Sequence, residues 1–306
     1  MLRRLNKYPI FVGTALLGLL NLIPEMHAEE ASSASAVALE TVEEAGPEHG
    51  KINTPDASPV DPGHFEIESS YTYLHSKRFW DNSGNTHTRG LAREQSLGLT
   101  VTAGVIENFD VAVGGSYGWL KDKDNAFDPD DADFGPQKGH DFGDLEISGR
   151  YRFYESKEHS LSLAYIGGFT LPTGSSSNRE EIGTSQEFSS FNQTLVASKD
   201  WGKWTANADI GYALPFGDKR ENARGTFNAD AALGYQYLPW LQPELELNFG
   251  HDFLTDEKDS QVLAVTAGLV MPINDRLRVN LGVQQGLWGR NNDKETTLSV
   301  AAKLAF

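Results

Sequence analysis

Charged side chains spaced two residues apart supply the chemistry this sequence has to offer. Glu66 and Glu68, Glu244 and Glu246, and Arg150 and Arg152 all follow this spacing, which on a β-strand sets both members on one face. Glu146, Asp209 and Asp230 extend the acidic set, and Lys203, Arg278 and Lys303 the basic set. Rows of opposite sign facing each other across a narrow pore set up a transverse field that selects small polar or charged solutes. The same charges can instead pair as a structural ladder that fills the lumen. In that case the protein would act as a structural or ligand-binding barrel through its external loops, and the residues leave both arrangements open.

Two other chemistries fit less well. Nucleophilic catalysis needs a serine within reach of a histidine that a third group orients. His27 and His49 precede the patterned region, His64, His75, His140 and His159 fall at strand ends and His87 in a loop. Only His251 sits well within a strand, beside Asp252. No His-x-Ser pair shares a strand face, so an outer-membrane lipid hydrolase is the weaker alternative and no enzyme is expected. The acidic run Asp122, Asp124, Asp128, Asp130, Asp131 and Asp133 offers oxygen ligands to calcium but lacks the glycine and glutamate spacing of an EF-hand. It reads as a solvated external loop, and no metal or cofactor is expected.

The elements that must position these charges are strands. Twelve segments alternate between apolar and polar residues, at 64–77, 91–104, 109–122, 142–155, 159–172, 187–199, 202–215, 225–238, 241–254, 260–272, 276–289 and 294–306. Each is long enough to cross a bilayer at a tilt, which takes about 9 to 11 residues. In the ninth, Leu245, Leu247, Phe249 and Phe253 oppose Glu244, Glu246, Asn248 and Asp252. Charges in mid-strand are costly against lipid and therefore face inward. Short connections, such as Ile106-Glu107-Asn108 and Asp200-Trp201, alternate with longer polar ones at 78–90, 123–141 and 173–186. That alternation predicts an all-β fold, a transmembrane antiparallel up-and-down barrel, with periplasmic hairpins at one end and external loops at the other. Aromatics near strand ends, among them Trp80, Trp119, Trp201, Trp204, Trp240 and Trp288, suit interfacial girdles.

Residues 1–28 read as a cleaved signal peptide, with basic Arg3, Arg4 and Lys7 before an apolar run from Ile10 to Ile23. Residues 29–62, rich in Ala, Ser, Glu and Pro, read as a flexible periplasmic lead-in, with 63–306 as the barrel. The lead-in is too short for a packed plug domain, although its residues can thread the lumen. A formal charge of −17 argues against nucleic acid as a partner. The absence of cysteine removes disulfides, thiolate metal sites and a cysteine nucleophile. The expected partners are outer-membrane lipid, a small-molecule solute and the barrel-assembly machinery, which would meet the last strand ending in Phe306.

Gly63 to Tyr73, Asp141 to Tyr154, the corner Leu171-Pro172-Thr173-Gly174, and Gly211 to Lys219 resemble the outer-membrane transporter family associated with meta-pathway phenol degradation. The likeness spans about residues 55 to 306. It implies a channel or transporter in the cell outer membrane for small compounds, often aromatic or apolar, and it brings no catalytic residues.

Overall fold

The computed structural model describes residues 51–124, 136–178, 181–220, 222–255 and 258–306. The expected signal peptide, the first part of the lead-in and residues 125–135 of the acidic loop, on which the calcium question turns, lie outside the described residues.

Alternation in the sequence becomes thirteen strands: β1 (Phe65–Trp80), β2 (Thr86–Ile106), β3 (Phe109–Asp122), β4 (Gln137–Phe142), β5 (Leu145–Ser156), β6 (Leu161–Leu171), β7 (Ser189–Trp201), β8 (Trp204–Phe216), β9 (Ala223–Tyr235), β10 (Gln242–Leu254), β11 (Ser260–Pro272), β12 (Leu277–Arg290) and β13 (Asn292–Ala305). Neighbours in sequence pair antiparallel, β4 and β5 excepted, and β13 returns to β1 with Glu68 opposite Lys303 and Tyr73 opposite Leu298. The sheet therefore closes and leaves no free edge in the wall. β4 and β5 share the same side of β3, with Tyr117–Asp122 against β4 and Phe109–Gly114 against β5. One wall strand is thus broken at Gly143 and Asp144. The barrel has twelve strands and an extra short one, β4.

Polarity is inverted relative to a water-soluble protein. On β10, Glu244 and Glu246 are 5% and 0% exposed, whereas Leu245 and Leu247 are 54% and 50% exposed. β8 repeats the pattern, with Thr205, Asn207 and Asp209 buried and Ile210 and Leu214 facing outward. Such a wall is stable only with hydrocarbon outside and polar partners within. Phe65 and Phe306 stack at 4.6 Å where the first and last strands meet, beside the short hairpins.

Three expectations change. The connection expected at 78–90 shrinks to 81–85, because β1 and β2 continue pairing beyond a bulge near Ser76. There Asp81 accepts the backbone N–H groups of Ser83 and Asn85 and contacts His87 at 2.8 Å; these bonds, that from His87 foremost, hold its carboxyl well below the usual range. The hairpin expected at Asp200-Trp201 turns instead at Gly202 and Lys203, where Gly202 takes a φ of 61°. Finally, residues 51–62 do not behave as a flexible lead-in. They enter beside Gly104, where Pro62 forms a bridge, and run inside the barrel. At Gly104 a Cβ would lie 2.0 Å from the Asp61 carbonyl oxygen, so only glycine admits the chain there.

Candidate functional site

The segment 51–62 forms no strand of its own, so its backbone groups must find partners elsewhere. They find them on side chains of two opposite walls, and the segment crosses the lumen between those walls like a bar.

On the wall of β3 and β5 the partners are basic and acidic together. Arg150 Nη1 donates to the Asp56 carbonyl and to Asp56 Oδ1, both at 3.2 Å, while its Nε and Nη2 donate to Asp110 Oδ2 at 3.2 and 2.6 Å. Asp110 Oδ2 also accepts the backbone N–H of Val60 at 2.9 Å. Burial opposes the charge on Asp56. The Arg150 guanidinium, with help from Lys303, the Ser58 N–H and Arg278, outweighs it and holds the pKa down to about 2.

On the opposite wall, β8 to β12, the partners are acidic and neutral polar side chains. Glu246 Oε1 accepts the backbone N–H groups of Ile52 at 2.9 Å and Asn53 at 3.1 Å. Lys51 Nζ lies 3.8 Å from Glu244 Oε1 and donates to Thr205 Oγ1 at 3.2 Å. Asn280 Nδ2 donates to the Lys51 carbonyl, and Asn53 Nδ2 to Thr266 Oγ1. The side chain of Ile52 rests on Gly268 and Gly282, which are direct cross-strand partners on β11 and β12. A Cβ on Gly282 would lie 2.7 Å from Ile52 Cγ2, so this glycine pair forms a socket. Between the two ends of the segment, Asn207 Nδ2 of β8 donates to the Pro55 carbonyl and the Ala57 N–H to Ser198 Oγ of β7.

Beyond the bar, Asp230, Asn248, Thr266 and Gln284 form a polar ladder across β9 to β12. Asn248 Nδ2 donates to Asp230 Oδ1 at 3.0 Å, and Asn248 Oδ1 accepts from Thr266 and Gln284. Asp209 and Asp230 stand directly opposite each other. Towards the loops, Arg89 bridges Asp122 of β3 and Asp293 of β13.

Glu66, Glu68, Glu146, Arg150, Asp209, Asp230, Glu244, Glu246, Arg278 and Lys303 occupy interior positions of their strands. Lys303 Nζ sits 2.9 Å from Glu66 and 3.9 Å from Glu68, and Glu146 accepts from Thr170. Arg152 is held at the hairpin rim by Asn108 Oδ1 and Glu155. Lys203 does not line the interior, because it is an exposed turn residue: its parity matches the inward face of β8, but the strand begins one residue later. His251 and Asp252 point to opposite faces, His251 stacking outward on Phe253 and contacting Asp259, Asp252 inward beside Thr226. Asp110 and the glycine socket escaped the charge pattern, although Asp110 has the inward parity of β3. Lys51, Ile52, Asn53 and Asp56 give no periodic signal at all.

A family model described as "Putative MetA-pathway of phenol degradation" matches residues 55–304. The solved COG4313 outer membrane channel from Pseudomonas putida F1 superposes with a TM-score of 0.66 at 14% identity, over 84% of this chain and 100% of that one. The NanC porin gives a TM-score of 0.47 at 8% identity, over 78% and 98%. The CymD monoaromatic hydrocarbon channel gives 0.41 at 9%, over 81% and 89%. Among curated proteins no sequence matches. The fold is that of outer-membrane channels.

Proposed function

Because the chain belongs to the MetA-pathway phenol degradation family, we propose that it is an outer-membrane channel for small molecules, exported by a cleaved leader at 1–28. The observation that supports this most is the closed, inverted wall whose lumen is crossed by an irregular segment of the same chain. A bar held by about one charged contact and a few hydrogen bonds at each end is removable, since such bonds contribute roughly 0.5 to 3 kcal/mol each. Solute would pass the external loops, meet the Asp209, Asp230, Glu244 and Glu246 wall, and leave past the bar when it is displaced. The family description directs attention to phenolic solutes, whose hydroxyl suits the Asn, Thr and Gln ladder. An excess of carboxylates on β8 to β10 favours cations and neutral molecules over anions.

Single-channel recording of the refolded protein in a planar bilayer tests this, with phenol added to one side. Discrete cation-preferring openings with brief phenol-dependent blockades are expected, and the preference should fall when Glu66, Glu146 and Glu246 are changed to Gln. A silent bilayer containing folded protein would remove the channel reading. Openings that phenol never interrupts would remove the aromatic solute alone.

A further inference from the structure

We propose that the outer face of β1 to β4 binds the phosphorylated headgroup of an outer-leaflet lipid such as lipid A. A row of side chains runs across these four adjacent strands. His75 is opposite Arg93, Arg93 is opposite Lys121, and Lys121 is opposite Lys138. Cross-strand partners share a face, and this face is the outer one. Arg93 has the parity of exposed Leu99 and Val101, Lys121 that of Val113 and Trp119, and Lys138 that of Phe142.

Like charges set directly opposite each other are destabilising, and in a chain of net charge −17 basic side chains have many carboxylates to choose from. None of these three forms an ion pair among the described residues. The Arg93 guanidinium lies 5.6 Å above the Tyr73 ring, and its Nε is buried without a hydrogen-bond partner. Glu181 is bridged to Lys138 through the backbone, but no ion pair joins them. A guard against edge pairing accounts for a lysine on the short strand β4. It does not account for Arg93 or Lys121, whose strands are paired on both sides.

Position fits a headgroup. His75 lies ten residues along β1 from Phe65 at the hairpin end, which at about 3.3 Å per residue and about 40° of tilt is about 25 Å, the height of the apolar band. Directly beneath the row, Tyr73, Gln95, Trp119 and His140 form the next row, an aromatic shelf of the kind found at membrane interfaces. Phosphate oxygens placed above that shelf would take charge-assisted bonds from a guanidinium and two ammonium groups, while the acyl chains follow Val113 and Leu99. The external end is the one facing the outer leaflet, so the inference rests on the outer-membrane location proposed above.

Native mass spectrometry of the full-length protein, refolded with diphosphorylated lipid A or its dephosphorylated form, tests it. Wild type should retain the phosphorylated lipid selectively. A variant carrying Arg93→Gln, Lys121→Gln and Lys138→Gln should retain it at least about tenfold less, and a charge-matched control, Lys203→Gln with Lys219→Gln and Arg220→Gln, should retain it fully. Millimolar inorganic phosphate should not displace it. Equal retention by the triple variant, equal retention of the dephosphorylated lipid, or displacement by inorganic phosphate would overturn the inference. If the triple variant does not fold, Lys121→Gln alone should lower retention about threefold, and no change there overturns it equally. A barrel that inserts and conducts without lipid selectivity defeats only this inference, whereas one that inserts into no bilayer defeats the channel reading.

Discussion

The two ends of the bar meet opposite walls of opposite character. On β3 and β5 the segment presents a carboxylate, Asp56, to a guanidinium that also serves Asp110. On β8 to β12 it presents an ammonium group and backbone N–H groups to Glu244 and Glu246, and an aliphatic side chain to bare glycine backbone. The difference teaches how a segment without secondary structure acquires one position. It is complementary in charge to each wall it touches and in shape to one of them, so neither shifting along the lumen nor reversing preserves its contacts.

Breaking the basic end should have the largest effect. Arg150→Met leaves Asp56 and Asp110 buried without their cation, a change that costs about 3 to 5 kcal/mol. Segment 51–62 should become cleavable by added protease in the folded barrel, with a lower unfolding temperature by differential scanning calorimetry. At the acidic end, Glu246→Gln keeps an oxygen acceptor but removes its charge, at a cost of about 1 to 2 kcal/mol. Faster proteolysis of the segment and more frequent openings are expected, with little change in barrel stability.

Acid separates the ends without mutation. Asp56 has a folded pKa of about 2 against an ordinary 3.8, so its ionised form stabilises the bound segment above pH 3.8, and this stabilisation disappears as pH falls through about 2. The loss, on the order of 2 kcal/mol, should appear as a step of acid-induced opening near pH 2 that is missing in Asp56→Asn. The smallest effect belongs to Lys203→Gln. An exposed turn lysine should change ion selectivity and stability by less than about 0.5 kcal/mol, detectable as unaltered reversal potentials.

The wall was legible in the sequence because a strand writes its two faces at a period of two. Leu245, Leu247 and Glu244, Glu246 announce lipid and lumen within four residues, and even β7, whose alternation around Ser189 and Ser190 is poor, takes its place through pairing with Phe191 and Phe169 aligned. The bar was legible only as a chance of threading. Residues 51–62 make bonds to partners such as Thr205 and Asn280, more than 150 residues away, and Pro55, Pro59 and Asp61 read locally as a linker. β4 was hidden for a related reason. The break at Gly143 and Asp144 resets the alternation, and Asp144 is occupied outside the ladder, accepting the N–H groups of Gly174 and Gln186. Lys203 shows the converse limit, since parity says which face a residue would take but not where the strand begins.

The absence of cysteine from the chain permits the most direct test of the central claim that segment 51–62 occupies and controls the lumen. Ile52→Cys with Gly282→Cys places two thiols where Ile52 already touches the glycine socket, within the reach a disulfide requires. Conductance of this variant should be suppressed when the disulfide forms and should recover on addition of reductant. Equal conductance in both redox states, with the cross-link complete by mass, would contradict the account.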